Sequence, residues 1–249
     1  MEENNQFIYG IHPVTEALNA KETSVERVYI REGLRSANLK VIMEAASAKR
    51  VQVLTVPGNK MFEMVGKVND QGVVAKLAEA SYTEFEDWLN ELDTLTNPFV
   101  ILLDEIEDVH NFGAILRSAA ASGAAGVIVP KHRQAPVNAI VYKTSAGTAG
   151  KVPIIRVTNI NQTLDKLKDS GFWIAALDGK GKDTIWDIDY NSPMVIIVGS
   201  EGSGIRKKTL DYSDFIVNIP MENNVESLNA SVSAGLILFE IVRRRQQKK

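Results

Sequence analysis

Met194-Val195-Ile196-Ile197-Val198 runs directly into Gly199-Ser200-Glu201-Gly202-Ser203-Gly204. Five consecutive apolar residues, four of them β-branched, suit a strand buried on both faces. The three glycines and one acid behind it make a loop whose backbone can approach a ligand closely. Near-continuous apolar runs also stand at 99–103, 126–129 and 172–176, with weaker ones at 153–157 and 215–219. Helical segments at 111–122, 138–145, 161–170 and 227–245 separate most of them. This alternation predicts an α/β fold with a mainly parallel sheet covered by helices. Ligands in such sheets bind at the C-terminal ends of strands, so the loops after Leu103, Leu177, Val198 and Ile219 are singled out.

Upstream the signals are shorter. Pro13 opens a helix, 27–30 reads as a strand, 38–49 as an amphipathic helix, and 51–56 as a strand stopped by Pro57-Gly58. A β-rich run at 72–77 completes a small α/β module over residues 1–80. Residues 81–97 form an acidic linker with one short helix that docks through Phe85, Trp88 and Leu89. Asn97-Pro98 then marks the start of the larger domain, 98–249.

The 249 residues contain no cysteine, which excludes disulfides, thiolate zinc sites, iron–sulfur clusters and cysteine nucleophiles. His12, His110 and His132 follow no metal-ligand spacing. No apolar run reaches the roughly 18 residues of a membrane span, and Met1-Glu2-Glu3-Asn4-Asn5 lacks the start of a signal peptide. A cytoplasmic setting without a structural metal is expected. The net charge of −3 hides a segregation: residues 1–80 are neutral, 81–110 carry −9 and 111–249 carry +6. Arg243-Arg244-Arg245 and Lys248-Lys249 end the positive block. They read as a solvated helix end complementing its dipole, with a phosphate-facing surface as the sharper alternative.

Two phosphate-loop suggestions fail. Gly147-Thr148-Ala149-Gly150-Lys151 lacks the first Walker glycine and the closing Ser/Thr, and residues 199–204 have GxxGxG rather than GxGxxG spacing. No Ser–His–Asp arrangement is suggested, because the histidines lie away from any nucleophile elbow. Three loop-to-helix segments remain. In 104–119, Asn111 can cap a helix and Gly113 permit close packing, but Arg117, near two helical turns further on, has no such explanation. In 198–205, the glycines exceed what a plain turn requires. In 219–231, Ser227 can cap the last helix, whereas Asn229 and Ser231 open an otherwise apolar one.

These segments, in this order, resemble the three motifs of the SpoU (TrmH-type) RNA ribose methyltransferases of the SPOUT class. Tyr9-Gly10-Ile11-His12-Pro13-Val14 and Asp70-Gln71-Gly72-Val73-Val74-Ala75 resemble the start and end of the N-terminal RNA-binding domain in the subgroup acting on large-subunit ribosomal RNA. The chain departs at Val109, where many members carry Pro, a matter of loop stiffness. The resemblance implies an L30e-like N-terminal domain and a C-terminal trefoil knot between about Leu177 and Leu228. It implies S-adenosylmethionine held by the backbone at Leu177, Gly199, Ile219, Met221 and Leu228, with Gly202 and Ser227 in the same loops. It also implies a homodimer in which Arg117 reaches toward the partner's cofactor.

In-line methyl transfer to a ribose 2′-oxygen needs alignment above all. Asn111, Glu201 and Asn229 are expected to orient the arginine and the ribose. A guanidinium is normally protonated, so stabilising an alkoxide or gripping a phosphate suits Arg117 better than acting as base. Arg31 and Arg35, flanking Glu32-Gly33-Leu34, are candidate RNA contacts. The expected substrate is a guanosine of 23S ribosomal RNA. Alternatives are transfer RNA, or a non-catalytic RNA-binding dimer.

Overall fold

The computed structural model describes residues 7–19, 25–35, 39–77, 82–223 and 225–247. Asn38, Lys248, Lys249 and the Met1–Asn5 start lie outside them. The chain forms two compact units, Met1–Ser81 with Pro136–Lys151, and Tyr82–Ala135 with Val152–Lys249.

The first unit is built on a four-stranded sheet in the order β1 (Phe7–Tyr9), β4 (Val73–Leu77), β2 (Val25–Arg31), β3 (Gln52–Val56). β4 is antiparallel to both neighbours, and β2 and β3 are parallel. Side chains alternate across it as the pleat requires. Val28, Ile30, Val73 and Ala75 pack with α1 (Ile11–Asn19) and α2 (Leu39–Ala48). Tyr29 and Val74 face the other way, onto Met61 and Val65 of α3 (Gly58–Val65). Ala139 and Tyr142 of α6 (Ala139–Thr144) join the α1/α2 side.

The second unit holds a seven-stranded parallel sheet. Its order is β7 (Ile154–Val157), β6 (Val127–Pro130), β5 (Phe99–Asp104), β10 (Met194–Gly199), β8 (Trp173–Leu177), β11 (Phe215–Asn218), β9 (Asp183–Thr184). Every residue of β5 is buried, the consequence of helices on both faces. Val100, Leu102, Val195, Ile197, Ile174 and Ala176 share one core with Leu164 and Leu167 of α7 (Ile160–Asp169). On the other face α5 (Val109–Ser122) packs against α9 (Ala230–Gln246). There Gly235 faces Ser118, and a Cβ on it would make ordinary contact with Ser118 Oγ at 3.6 Å. The expected linker helix is α4 (Phe85–Leu92), with Trp88 buried and its Nε1 donating to Ala125 O at 2.9 Å. Among the described residues, no helix is long and apolar enough to cross a membrane.

Two expected helix caps are corrected. Asp108, not Asn111, caps α5, its Oδ1 accepting from the His110 and Asn111 amides at 2.8 Å. Asn229, not Ser227, caps α9, accepting from Ser231 N at 2.9 Å and Val232 N at 3.3 Å. The phosphate-facing alternative for Arg243-Arg244-Arg245 is also overturned. Arg243 and Arg244 bind buried Glu240, each within 2.8 Å. Arg245 donates to the carbonyls of Tyr190, Ser192 and Asn97 and lies over the Phe99 ring. Arg243 thus bonds within the helix end, whereas Arg244, through Trp186 O, and Arg245 tie that end to neighbouring loops and to Phe99 of β5.

Candidate active site

β8, β10 and β11 end at Leu177, Gly199 and Asn218, and a cavity of about 380 Å³ opens beyond them. That is within the size range of small-molecule sites. Leu177, Gly199 and Ile219 line it from the strand ends, and Met221, Ser227 and Leu228 from the loop leading to α9. Gly202 lies instead in an adjoining cavity of about 410 Å³, shared with Asp108 and Asn111. Sequence reading missed Asp178, Val225 and Glu226, which also line the first cavity. Asp178 directly follows β8, so the strand-end rule was sufficient to find it; Val225 and Glu226 carried no separate signal.

Gly199 is needed for a steric reason. A Cβ there would lie 2.5 Å from the Ile205 amide nitrogen and would also meet Gly204, because the loop folds back through the Ser200–Gly204 bridge. The lining as a whole has three carboxylates, Asp178, Glu201 and Glu226, and no Lys, Arg or His. Such a cavity favours a cationic ligand and repels a polyphosphate.

Where the two cavities meet, three of the expected catalytic residues come together from distant parts of the chain. Asn111 Nδ2 donates to Glu201 Oε1 at 2.9 Å. Asn229 Nδ2 donates to Asn111 Oδ1 at 2.8 Å and also to Glu201 Oε1. The Ala230 amide points at the same carboxylate oxygen at 3.4 Å. Asn229 therefore has two tasks: its oxygen caps α9, and its amide group ties that cap to the other two motifs. Each side chain fixes its neighbour's orientation, which a lone polar residue on a loop cannot achieve.

Arg117 is separate. It is exposed on α5, lines neither cavity, and has no hydrogen-bond or ion-pair partner among the described residues. Arg31 and Arg35 belong to the first unit. Arg31 Nη2 pairs with Asp70 Oδ1 at 2.5 Å, and Asp70 also accepts from Gly72 N at 2.7 Å; Arg35 is exposed.

Residues 98–239 match the SpoU rRNA Methylase family, and residues 7–83 match the RNA 2'-O ribose methyltransferase substrate binding family. The chain is 39% identical to the 23S rRNA (guanosine-2'-O-)-methyltransferase RlmB of Pseudomonas putida, covering 97% of this chain and 98% of that one. It is 38% identical, over 96% of each chain, to a Staphylococcus haemolyticus protein described no more narrowly than as a TrmH family tRNA/rRNA methyltransferase. The crystal structure of the SpoU methyltransferase AviRb from Streptomyces viridochromogenes, in complex with AdoMet, superposes with a TM-score of 0.81. It is 24% identical and covers 96% of this chain and 90% of that one, a likeness of fold. With one family description over 98–239 and relatives matched along nearly the whole length, the chain belongs to the SpoU rRNA methylase family.

Proposed function

We propose that this protein is an S-adenosylmethionine-dependent RNA methyltransferase that modifies a ribose 2′-hydroxyl, that of a guanosine in 23S ribosomal RNA. The observation that carries the reading is the meeting of Asn111, Glu201 and Asn229 beside an acidic cavity at the sheet's C-terminal edge. The activity named for the Pseudomonas putida relative supports the choice of substrate. The intact cluster counts against a merely RNA-binding dimer.

The residues present fit the cofactor. Its sulfonium and ammonium groups suit a lining with three carboxylates and no basic side chain. Ile219 and Leu228 provide apolar surface for adenine, and Leu177, Gly199, Met221 and Ser227 complete its holder, with Gly202 further along the Gly199 loop, on the adjoining cavity. When bound, S-adenosylmethionine supplies an electrophilic methyl group. The cluster's part is positioning: Asn111 and Asn229 hold the Glu201 carboxylate, and through it the two loops, at the place where the ribose must lie. In the transfer the 2′-oxygen would form the new C–O bond as the methyl–sulfur bond breaks, leaving the neutral thioether S-adenosylhomocysteine, and the hydroxyl proton would pass to solvent.

Arg117 acts across a homodimer. Two observations support this: its exposure on α5 away from its own chain's cavities, and a stripe on the neighbouring α9. Val232, Leu236 and Phe239, 43–50% exposed, follow helical spacing there. A permanently protonated guanidinium stabilises a developing alkoxide or holds the adjoining phosphate. Arg31 and Arg35 contact RNA from the first unit. The Leu177–Leu228 region forms a trefoil knot, a reading supported by the family match and the likeness of fold to AviRb. The enzyme works in the cytoplasm. Titration calorimetry with S-adenosylmethionine tests the cofactor reading: heat at one site per chain, abolished in Gly199→Ala, supports it, and no heat at millimolar ligand refutes it.

A further inference from the structure

A third cavity, of about 570 Å³, opens at the C-terminal ends of β6 and β7 and is closed on one side by α8 (Lys207–Leu210). Its charge is opposite to that of the first. Arg133, Arg206, Lys207 and Lys208 line it together with His132, against one acid, Glu105. The two guanidiniums are held in place. Glu105 pairs with Arg133 at 3.5 Å and with Arg206 at 3.4 Å. Fully buried Asp104 accepts from Arg206 Nε at 2.8 Å and pairs with its Nη2 at 2.7 Å. Lys207 and Lys208 are exposed and have no partner among the described residues. Structural ion pairing accounts for the arginines but not for two adjoining lysines turned to the same hollow.

The furrow is continuous with the site. Glu105 and Arg133 also line the cavity that holds Asn111 and Glu201, which in turn shares Ser200, Glu201 and Ala230 with the first cavity. Along the sheet edge the order is therefore acidic cavity at β8/β10, cluster at β10/β5, basic furrow at β6/β7. Neighbouring strands lie about 4.8 Å apart, so the furrow begins about 10 Å from the cluster. That distance is longer than the reach from a ribose to its own two phosphates and matches the next phosphate along the strand, which a ribose at the cluster therefore brings onto the furrow.

We propose that this furrow is the seat of the RNA backbone beside the modified nucleotide, with Lys207, Lys208 and Arg133 on its phosphates. The inference rests on the reading of the chain as an RNA methyltransferase and adds where the strand runs. Backbone contacts of this kind fix register and orientation without reading bases.

The test uses the full chain and two probes, transcribed 23S ribosomal RNA and a short poly(U) oligonucleotide, with binding measured from low to high salt. In a Lys207→Gln/Lys208→Gln variant, the loss of two phosphate contacts lowers the salt slope by about 1.4 and weakens binding roughly 10- to 30-fold at 0.1 M salt. Arg133→Gln acts in the same direction, and its melting temperature shows whether the fold has survived. Lys166→Gln/Lys168→Gln removes the same charge from the C-terminal turn of α7, outside the lining of the furrow, and leaves the slope unchanged. Wild-type slope and affinity in folded Lys207→Gln/Lys208→Gln and Arg133→Gln overturn the proposal, as does an equal loss in the α7 control. S-adenosylmethionine binding by wild type, read separately, tells a failure of the furrow from a failure of the enzyme reading.

Discussion

Replacing Asn229 by aspartate separates its two tasks. The acceptor oxygen that caps α9 is kept, so the bonds to Ser231 N and Val232 N survive. The amide that donates to Asn111 and Glu201 is lost, and a second carboxylate is put beside the first. Two unit charges about 3 Å apart repel by about 1.4 kcal/mol even at the dielectric of water. Losing the two donated hydrogen bonds adds about 1–2 kcal/mol. A shift of about 2–4 °C in melting temperature per kcal/mol, usual for this chain length, then gives a fall of about 5–14 °C at pH 8. Repulsion between Glu201 and the introduced carboxylate raises the folded-state pKa of that pair above its unfolded value. The destabilisation is therefore full above that raised pKa and is relieved as pH falls through it. Asn229→Ala loses the cap, about 1 kcal/mol, and the cluster bonds, but gains no charge. Its deficit is independent of pH in the same window. Thermal unfolding of the three proteins between pH 8 and pH 5, with methyl transfer measured alongside, is the assay. If Asn229→Asp melts like wild type at pH 8 and keeps its activity, the three motifs are not coupled through this carboxylate and the reasoning fails.

Gly199→Ala drives a methyl group into the Gly204–Ile205 backbone, so S-adenosylmethionine binding is lost at 25 °C; ordinary calorimetric binding by that variant contradicts the steric argument. Val109→Pro puts proline at the first position of α5 behind Asp108, whose ψ of 121° already suits a pre-proline residue. It raises stability by about 0.4–1 kcal/mol in denaturant titration. Hydrogen bonding from Arg243 holds the Glu240 carboxyl below its usual value of 4.5, against its burial. The stability it contributes is present above that unfolded value and disappears as pH falls through the lowered one. Glu240→Gln is therefore less stable than wild type at pH 7, and the gap closes in strong acid. Mixing Arg117→Ala chains with Glu201→Ala chains restores roughly a quarter of wild-type activity if Arg117 works across a two-fold dimer, and none if it works within its own chain.

The central strands were legible because burial on both faces leaves only apolar residues at 99–103 and 194–198. The strand-end rule then singled out the loops after Leu177, Val198 and Ile219 without any view of the cavity, while the individual cofactor residues came from the family resemblance. Elements that bury little were not legible: β9 is Asp183–Thr184, and α8 rests on Thr209 and Leu210. α3 was hidden because Pro57-Gly58 reads as a stop, although Pro57 with ψ of 155° stands immediately before the helix. The displaced caps have one cause. Asp108 and Asn111, like Ser227 and Asn229, are all good capping types, and backbone dihedrals rather than residue type choose between them. The arginine run ends α9 as its helix-end reading required, but its partners were not legible. Sequence shows three charges at 243–245, but the carbonyls of Asn97, Tyr190 and Ser192 that receive Arg245 are brought there only by folding. Lys207 and Lys208, just beyond the glycine loop, passed unnoticed because two lysines on a short helix look like any solvated surface.

The most direct test follows a labelled methyl group from S-adenosylmethionine into 23S ribosomal RNA and then hydrolyses the RNA in alkali. Alkaline cleavage needs a free 2′-hydroxyl, so a methylated ribose protects the bond beside it. The account requires the label in an alkali-resistant dinucleotide with guanosine at its 5′ position, and its disappearance with Glu201→Ala. Label released in a mononucleotide, carried on a base, or retained by the Glu201→Ala variant contradicts it.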